Sequence, residues 1–439
     1  MEQKKYNNIK SMFISEDNKE KFINILFSLI PLSFLGGNLL INLNIILLII
    51  VSCFFFKSEI FRINLNLYDK LISLFFLILL ITGIFNFYLF YNPDKSIYAD
   101  EILIKSFLIL RFILIYFIIK FLIIKRILKL KFFFITAAIC SLFVSLDVIL
   151  QFFTGKDIFG YENFSRRNPG PFGDEAISGS YLQRFSLFIF FLFPIFFPNY
   201  NKKIYIIFII PTIILIFCAT LFSGNKVPFT MLIFAAIILL VINYQFKKIW
   251  FLFLAGAISI FLIFFQYSSH VKYNFGNFYV KVSQLQIYTK SIIDNIKHGT
   301  EVNIPNTYIK EIHNGILAFN SKKMIGGGLK SYKISCLEFS NYSCAPHPHN
   351  YHVEILVSVG IVGYFLILIL FLKFLITFKS SYLEKTKNNQ MIYALFGTLF
   401  FIEFFPLRTT GSFFSTANIT YFFIIMSIAI SLTLKKNIK

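Results

Sequence analysis

Apolar residues run along this chain in long unbroken stretches, separated by short polar segments. The pattern predicts twelve membrane-crossing helices, at 21–37, 38–56, 69–91, 102–124, 131–152, 181–199, 203–222, 226–244, 248–266, 351–373, 389–406 and 417–434. Each comes near the roughly 20 apolar residues that a bilayer requires of a helix. The runs lack the every-second-residue alternation of a membrane β-barrel, so the expected fold class is an all-α integral membrane protein. The opening stretch MEQKKYNNIKSMFISEDNKEK is too long and too mixed in charge for a signal-peptide head, and no small-residue cleavage site follows, so the first helix is expected to be kept.

Two polar segments interrupt the pattern. Residues 267–350 fall between the ninth and tenth spans and divide the chain into a helical part (1–266), a loop domain (267–350) and a second helical part (351–439). Polar connections of this length are usually functional. Within it, Ile309, Ile312, His313, Ile316 and Leu317 recur at the helical period and predict an amphipathic helix that Gly326, Gly327 and Gly328 end. The other segment, about 153–180, is rich in Gly, Pro and charge. No internal repeat of the transporter kind is visible.

Composition agrees with the pattern. Of 439 residues, 57% are hydrophobic and only 14% charged, with a mean hydropathy of +0.72. Soluble, disordered and collagen-like classes are excluded. The 61 Phe beside only 20 Gly read as AT-rich coding rather than as an aromatic binding surface. A net charge of +21 would suit nucleic acid, but the Lys and Arg gather in short clusters between spans, so no nucleic-acid partner is expected. Lys4, Lys5 and Lys10 precede the first span, Lys125, Arg126 and Lys129 follow the fourth, and Lys435, Lys436 and Lys439 close the chain. By the positive-inside rule both termini face the cytoplasm and the 267–350 segment faces outward.

All six histidines lie between His270 and His352, three of them in HPHNYH (His347, His349, His352) where the long loop re-enters the apolar region. Imidazole exchanges protons near neutral pH, which makes this cluster a candidate general base. The alternatives are a zinc site without an obvious fourth ligand, a packed His313, and a polar interfacial belt. Basic residues at the outer half form a second set: Arg111, Arg166, Arg167, Arg184, Lys226 and Arg408. A charge within a bilayer is costly unless it faces a cavity or a partner, and Asp147 and Glu403 are candidate partners for the intramembrane arginines. Convergent Arg and Lys suit phosphate or pyrophosphate. Cys336 and Cys344, eight apart and just before HPHN, are a candidate disulfide in an oxidising outer compartment. Cys53, Cys140 and Cys218 fall in spans as packing residues.

The run CAPHPHNYHVEILVSVGIVGYF, with GGGLKSYKISC upstream, resembles the O-antigen ligase and O-antigen polymerase superfamily. The stretches SLDVILQFFTGKDIFG, RNPGPFGDEAISGSYL and PLRTTGSFFST are similar to its ligase-like branch. The resemblance implies a metal-independent, cofactor-free, inverting glycosyltransferase on the periplasmic face of the bacterial inner membrane. The donor would be a glycan on undecaprenyl pyrophosphate, the acceptor lipid A–core or a growing glycan. It assigns the essential histidine to His349, with His347 close behind, and a pyrophosphate cation to Lys226, where the family carries arginine. Lys keeps the charge but loses the bidentate fork. The second family cation aligns near Lys310. Two alternatives stand beside the ligase: a repeat-unit polymerase of the same superfamily, and a polysaccharide flippase or transporter with the long loop as a cap.

Overall fold

The structure is a computed structural model that describes residues 16–90, 96–163, 167–197, 199–242, 247–299, 301–339, 344–406, 408 and 411–434. The terminal clusters Lys4, Lys5, Lys10, Lys435, Lys436 and Lys439, and also Arg166, lie outside these residues.

The described chain is helical, with one isolated strand-like pairing between Lys156 and Glu162. It opens with α1 (Glu16–Ser28), α2 (Ile30–Leu35) and α3 (Gly37–Phe56). Next come α4 (Leu67–Phe90), α5 (Ser96–Leu108), α6 (Arg111–Ile124) and α7 (Leu130–Thr154). A polar loop leads to α8 (Ser178–Phe185), α9 (Leu187–Phe196), α10 (Lys202–Phe222), α11 (Lys226–Ile242) and α12 (Lys247–Tyr267). The long polar segment is itself helical, as α13 (Ser269–Gly276), α14 (Phe278–His298), α15 (Thr307–Ser321) and α16 (Ser331–Phe339). The chain then returns through α17 (Tyr351–Leu383), α18 (Lys387–Glu403) and α19 (Thr416–Leu434).

Among the described residues nine stretches are long and apolar enough to cross a membrane, so this is an all-α multi-pass membrane protein. Three of the twelve expected spans take another form. The first is divided at Leu29 into α1 and α2, where Pro31 stands at the start of α2 and has no N–H to continue the ladder. The helices α11 and α18 each have 17 residues, at the short end of what spans a bilayer. In the other direction, α17 reaches 33 residues and runs ten past its expected end.

Burial sorts these helices into a centre and a rim. In the most apolar eighteen residues of each, buried positions make up 83% within Ser178–Phe196 and 78% within α19, against 17% within α12 and 28% within Gly37–Arg62. The central pair meets through aromatic rings, Phe185 lying edge-on to Tyr421 (5.5 Å) and to Phe34 (5.3 Å). Edge-to-face pairs of this kind contribute about 0.5–1.5 kcal/mol beyond their buried area. The abundant Phe is therefore packing. Arg184 sits on the most buried stretch of all, so it must be partnered within the protein.

Within α15 the buried face is not the one the periodicity suggests. Ile309, Asn314, Gly315 and Ala318 are buried, while Ile312, His313, Ile316 and Leu317 are only partly so. Small residues win because α17 comes close: a Cβ at Gly315 would lie 2.4 Å from a methyl of Val353.

Candidate active site at the start of the 351–383 helix

The site is assembled where the polar helices meet the beginning of α17. Cys336 of α16 is bonded to Cys344, which anchors the segment just before HPHN, and the Asn314 amide donates to the Cys336 sulfur (3.3 Å). His349 then takes a left-handed backbone conformation, φ +52°, uncommon for a residue with a side chain. The turn lets Asn350 cap α17: its side-chain oxygen accepts from the N–H groups of His352 (3.0 Å) and Val353 (3.1 Å). Strain of this sort persists where the surroundings over-determine it, and here they do. The Tyr308 hydroxyl donates to the His349 carbonyl (3.0 Å), and the His349 N–H donates to Nδ1 of His347 (3.3 Å).

These contacts separate the three histidines. Nδ1 of His347 is an acceptor, so that ring is neutral with its proton on Nε2; burial, His349 and Lys330 push its pKa down to about 4. His352 uses both nitrogens internally, with the Phe404 carbonyl 3.1 Å from Nε2 and the Tyr364 hydroxyl 3.0 Å from Nδ1. His349 is half-buried and its pKa is lowered by burial, with the Glu311 carboxylate pulling the other way. His313 lies elsewhere on α15, bonded to the Tyr288 hydroxyl (3.1 Å) and shifted down by burial. Among the described residues no three His, Cys, Asp or Glu side chains gather as a metal site needs.

The basic residues divide as well. Arg184 and Arg408 converge on Glu403: Nη2 of Arg184 lies 2.6 Å from one carboxylate oxygen and Nη1 of Arg408 2.7 Å from the other. All three side chains are buried. Arg184 also donates to Asn418 (2.7 Å) and reaches the hydroxyl of Tyr351, the residue after the cap, at 3.5 Å. Arg408 stacks over the Tyr351 ring, 5.5 Å from its centre. Two guanidiniums sharing one carboxylate therefore lie against the first turn of α17, whose dipole adds to their positive field. Arg111 makes local contacts instead, to the Leu108 carbonyl (3.2 Å) and the Phe112 ring (4.7 Å). Arg167 is exposed on the Gly/Pro loop, Lys226 opens α11, and Lys310 is half-buried on α15 between Tyr308 and Glu311.

Sequence reasoning singled out neither Glu354 nor the role of the glycines. Glu354 is buried in the first turn of α17 and accepts from the Ser412 hydroxyl and the Phe413 N–H (2.6 Å). With the Asn350 amide donating to the Pro406 carbonyl (3.0 Å), it ties the 404–416 loop to the cap. The glycines act at a break in α17. Gly360 has φ +64°, which opens the helix ladder at a depth where unpaired backbone groups are expensive. The 323–328 loop replaces the lost bonds. The N–H groups of Gly327 and Gly328 donate to the carbonyls of Val357 (2.8 Å) and Ser358 (2.9 Å), and Ile361 N–H donates to the Lys323 carbonyl (2.8 Å). Only glycine fits, since a Cβ at Gly326 or Gly360 would lie within 2.6 Å of the opposing backbone. Thr82 and Asn86 of α4 hold the same loop from behind, donating to the carbonyls of Ile325 (2.9 Å) and Gly326 (3.1 Å). Spacing alone marked a helix end at these glycines; only the pairing with Gly360, 32 residues beyond Gly328 along the chain, reveals the repair.

These features define a multi-pass membrane protein with a polar helical cap folded onto a broken central helix. Residues 211–368 match the family described as O-Antigen ligase, so this stretch of the chain is similar to that family. No curated protein matches the chain. The matched stretch contains Lys226, Lys310, His347, His349 and the glycine-repaired break, whereas Arg184, Glu403 and Arg408 fall outside it.

Proposed function

We propose that this protein moves a glycan from undecaprenyl pyrophosphate to lipid A–core on the periplasmic face of the inner membrane, with both termini in the cytoplasm. The observation that carries the reading is His349, a neutral half-buried imidazole in strained backbone, held beside Glu311 and capped onto the helix that Arg184 and Arg408 underlie. His349 takes the proton of an acceptor hydroxyl as that oxygen attacks the anomeric carbon. The bond to the pyrophosphate breaks on the opposite face, so configuration inverts. Charge builds on the leaving pyrophosphate, and fixed cations lower that barrier. Lys226, Lys310 and Arg167 are the cations carried by accessible elements at this end of the bundle, while Arg184 and Arg408 supply field from behind. No step calls on a metal or a cofactor, so transfer should survive chelation.

The test is the lipopolysaccharide of a strain lacking the gene. Loss of all attached chains, with lipid-linked polymer accumulating, is the expected result. A core that keeps a single repeat unit would make the protein a polymerase instead, and an unchanged profile would remove both readings.

A further inference from the structure

A second candidate site lies on other elements of the fold. A cavity of about 500 Å³ opens between the end of α7, the Gly/Pro loop and the α12–α13 junction. Three aromatic residues, Phe152, Phe264 and Tyr267, line it together with Asn163, Asn168, His270 and two serines. No lining residue carries a fixed charge. The aromatic wall is rigid: Phe152 is stacked on Phe222 with centroids 3.9 Å apart, and Phe264 and His270 meet it edge-on. Asn168 is pinned by donating to the Phe222 carbonyl (2.7 Å) and by accepting, at its own carbonyl, from Ser178 (2.8 Å). Those two partners begin the segments that lead to Lys226, four residues on, and Arg184, six residues on.

From this we infer that the cavity is a carbohydrate subsite for the uncharged sugars next to the pyrophosphate, an inference that rests on the glycan-transfer reading above. A pyrophosphate demands cations, and this cavity offers none; a lipid tail demands an apolar wall throughout, and half of this one is amide, hydroxyl and imidazole. Aromatic faces together with neutral hydrogen-bonding groups suit a sugar ring, whose faces are apolar and whose rim is hydroxyl. The volume lies within the range of small-molecule sites. Asn168 joins the walls of this cavity to both cation-bearing segments, so a glycan seated here would set the direction from which its pyrophosphate enters.

The experiment measures binding without turnover. The oligosaccharide is released from the host's undecaprenyl-linked glycan by mild acid, which removes lipid and pyrophosphate, and is titrated into the full-length protein in nanodiscs by saturation-transfer NMR. Tyr267 is 79% exposed, so Tyr267→Ala removes an aromatic face without opening the core. Tyr267→Ala and His270→Ala should each weaken binding by on the order of tenfold, while Tyr267→Phe, which keeps the ring, binds as the parent does. Parent protein that does not bind the oligosaccharide, variants that bind it unchanged, or a preference for glycerophosphate headgroups would overturn the subsite. Because the readout involves no transfer, its failure is separable from failure of the His349 mechanism.

Discussion

Two buried charge clusters in this molecule look alike and are built differently. On α4 and α6, Asp69 and Lys120 form a one-to-one ion pair, with the Tyr116 hydroxyl donating to the same carboxylate (2.7 Å). On α8 and α18, Glu403 serves two cations, Arg184 and Arg408. The first cluster is closed: its charges cancel and its polar atoms face one another. The second retains an excess positive charge, and it lies under the capped turn that carries His349. A compensated pair at membrane depth offsets part of its desolvation cost and leaves little net field, whereas an uncompensated set creates a field that something outside it can use. The same residue chemistry thus yields a fastener in one place and an electrostatic platform in the other.

The comparison breaks most visibly at Glu403. Removing a shared carboxylate strands two guanidiniums, so Glu403→Ala should cost about 3–5 kcal/mol, read as lost thermal stability in detergent. A variant as stable as the parent would mean that the arginines have other partners. Next comes a paired replacement. Asp69→Leu with Lys120→Met removes both charges of the closed cluster, and stability should change by no more than about 1–2 kcal/mol with transfer intact. The corresponding apolar replacement of Arg184, Glu403 and Arg408 should fold but transfer glycan poorly. Equal activity of the two redesigned proteins would erase the distinction.

Smaller effects sharpen it. Burial holds the His349 pKa below its ordinary 6.5, so the neutral base is fully present at neutral pH and is lost as pH falls through that lowered value. Transfer should be flat above about pH 6.5 and decline on acidification. A profile that instead rises with acidity would make His349 an acid. Folding stability has the same sign, since protonating a histidine buried as its neutral form opposes the fold. Most local of all, Cys336→Ser should lower stability by about 2–3 kcal/mol through the short loop that it closes, and should loosen the HPHN segment more than the spans.

The sequence made the apolar helices legible because long unbroken runs admit few other structures in a bilayer. It marked the histidine segment because a titratable cluster at the edge of an apolar run is chemically conspicuous. What it did not carry was convergence. Arg184 lies 219 residues before Glu403 and still further from Arg408, and only the tertiary fold brings α8 to the end of α18 and to Arg408 just beyond it. His347, His349 and His352 look equivalent in HPHNYH, yet one positive φ and one N-cap give them three different tasks. Arg111 looked as suspect as Arg184 and turned out to be bonded to its own helix break.

The most direct measurement is glycan transfer in vitro, from purified undecaprenyl-pyrophosphate-linked donor to lipid A–core, by His349→Ala protein that is folded and retains the donor. A single well-placed base contributes roughly 10²–10⁴-fold, so the rate should fall at least about a hundredfold with little change in donor affinity. Transfer at the parental rate would contradict the account, since no other neutral imidazole is presented in the same way at this end of the bundle among the described residues.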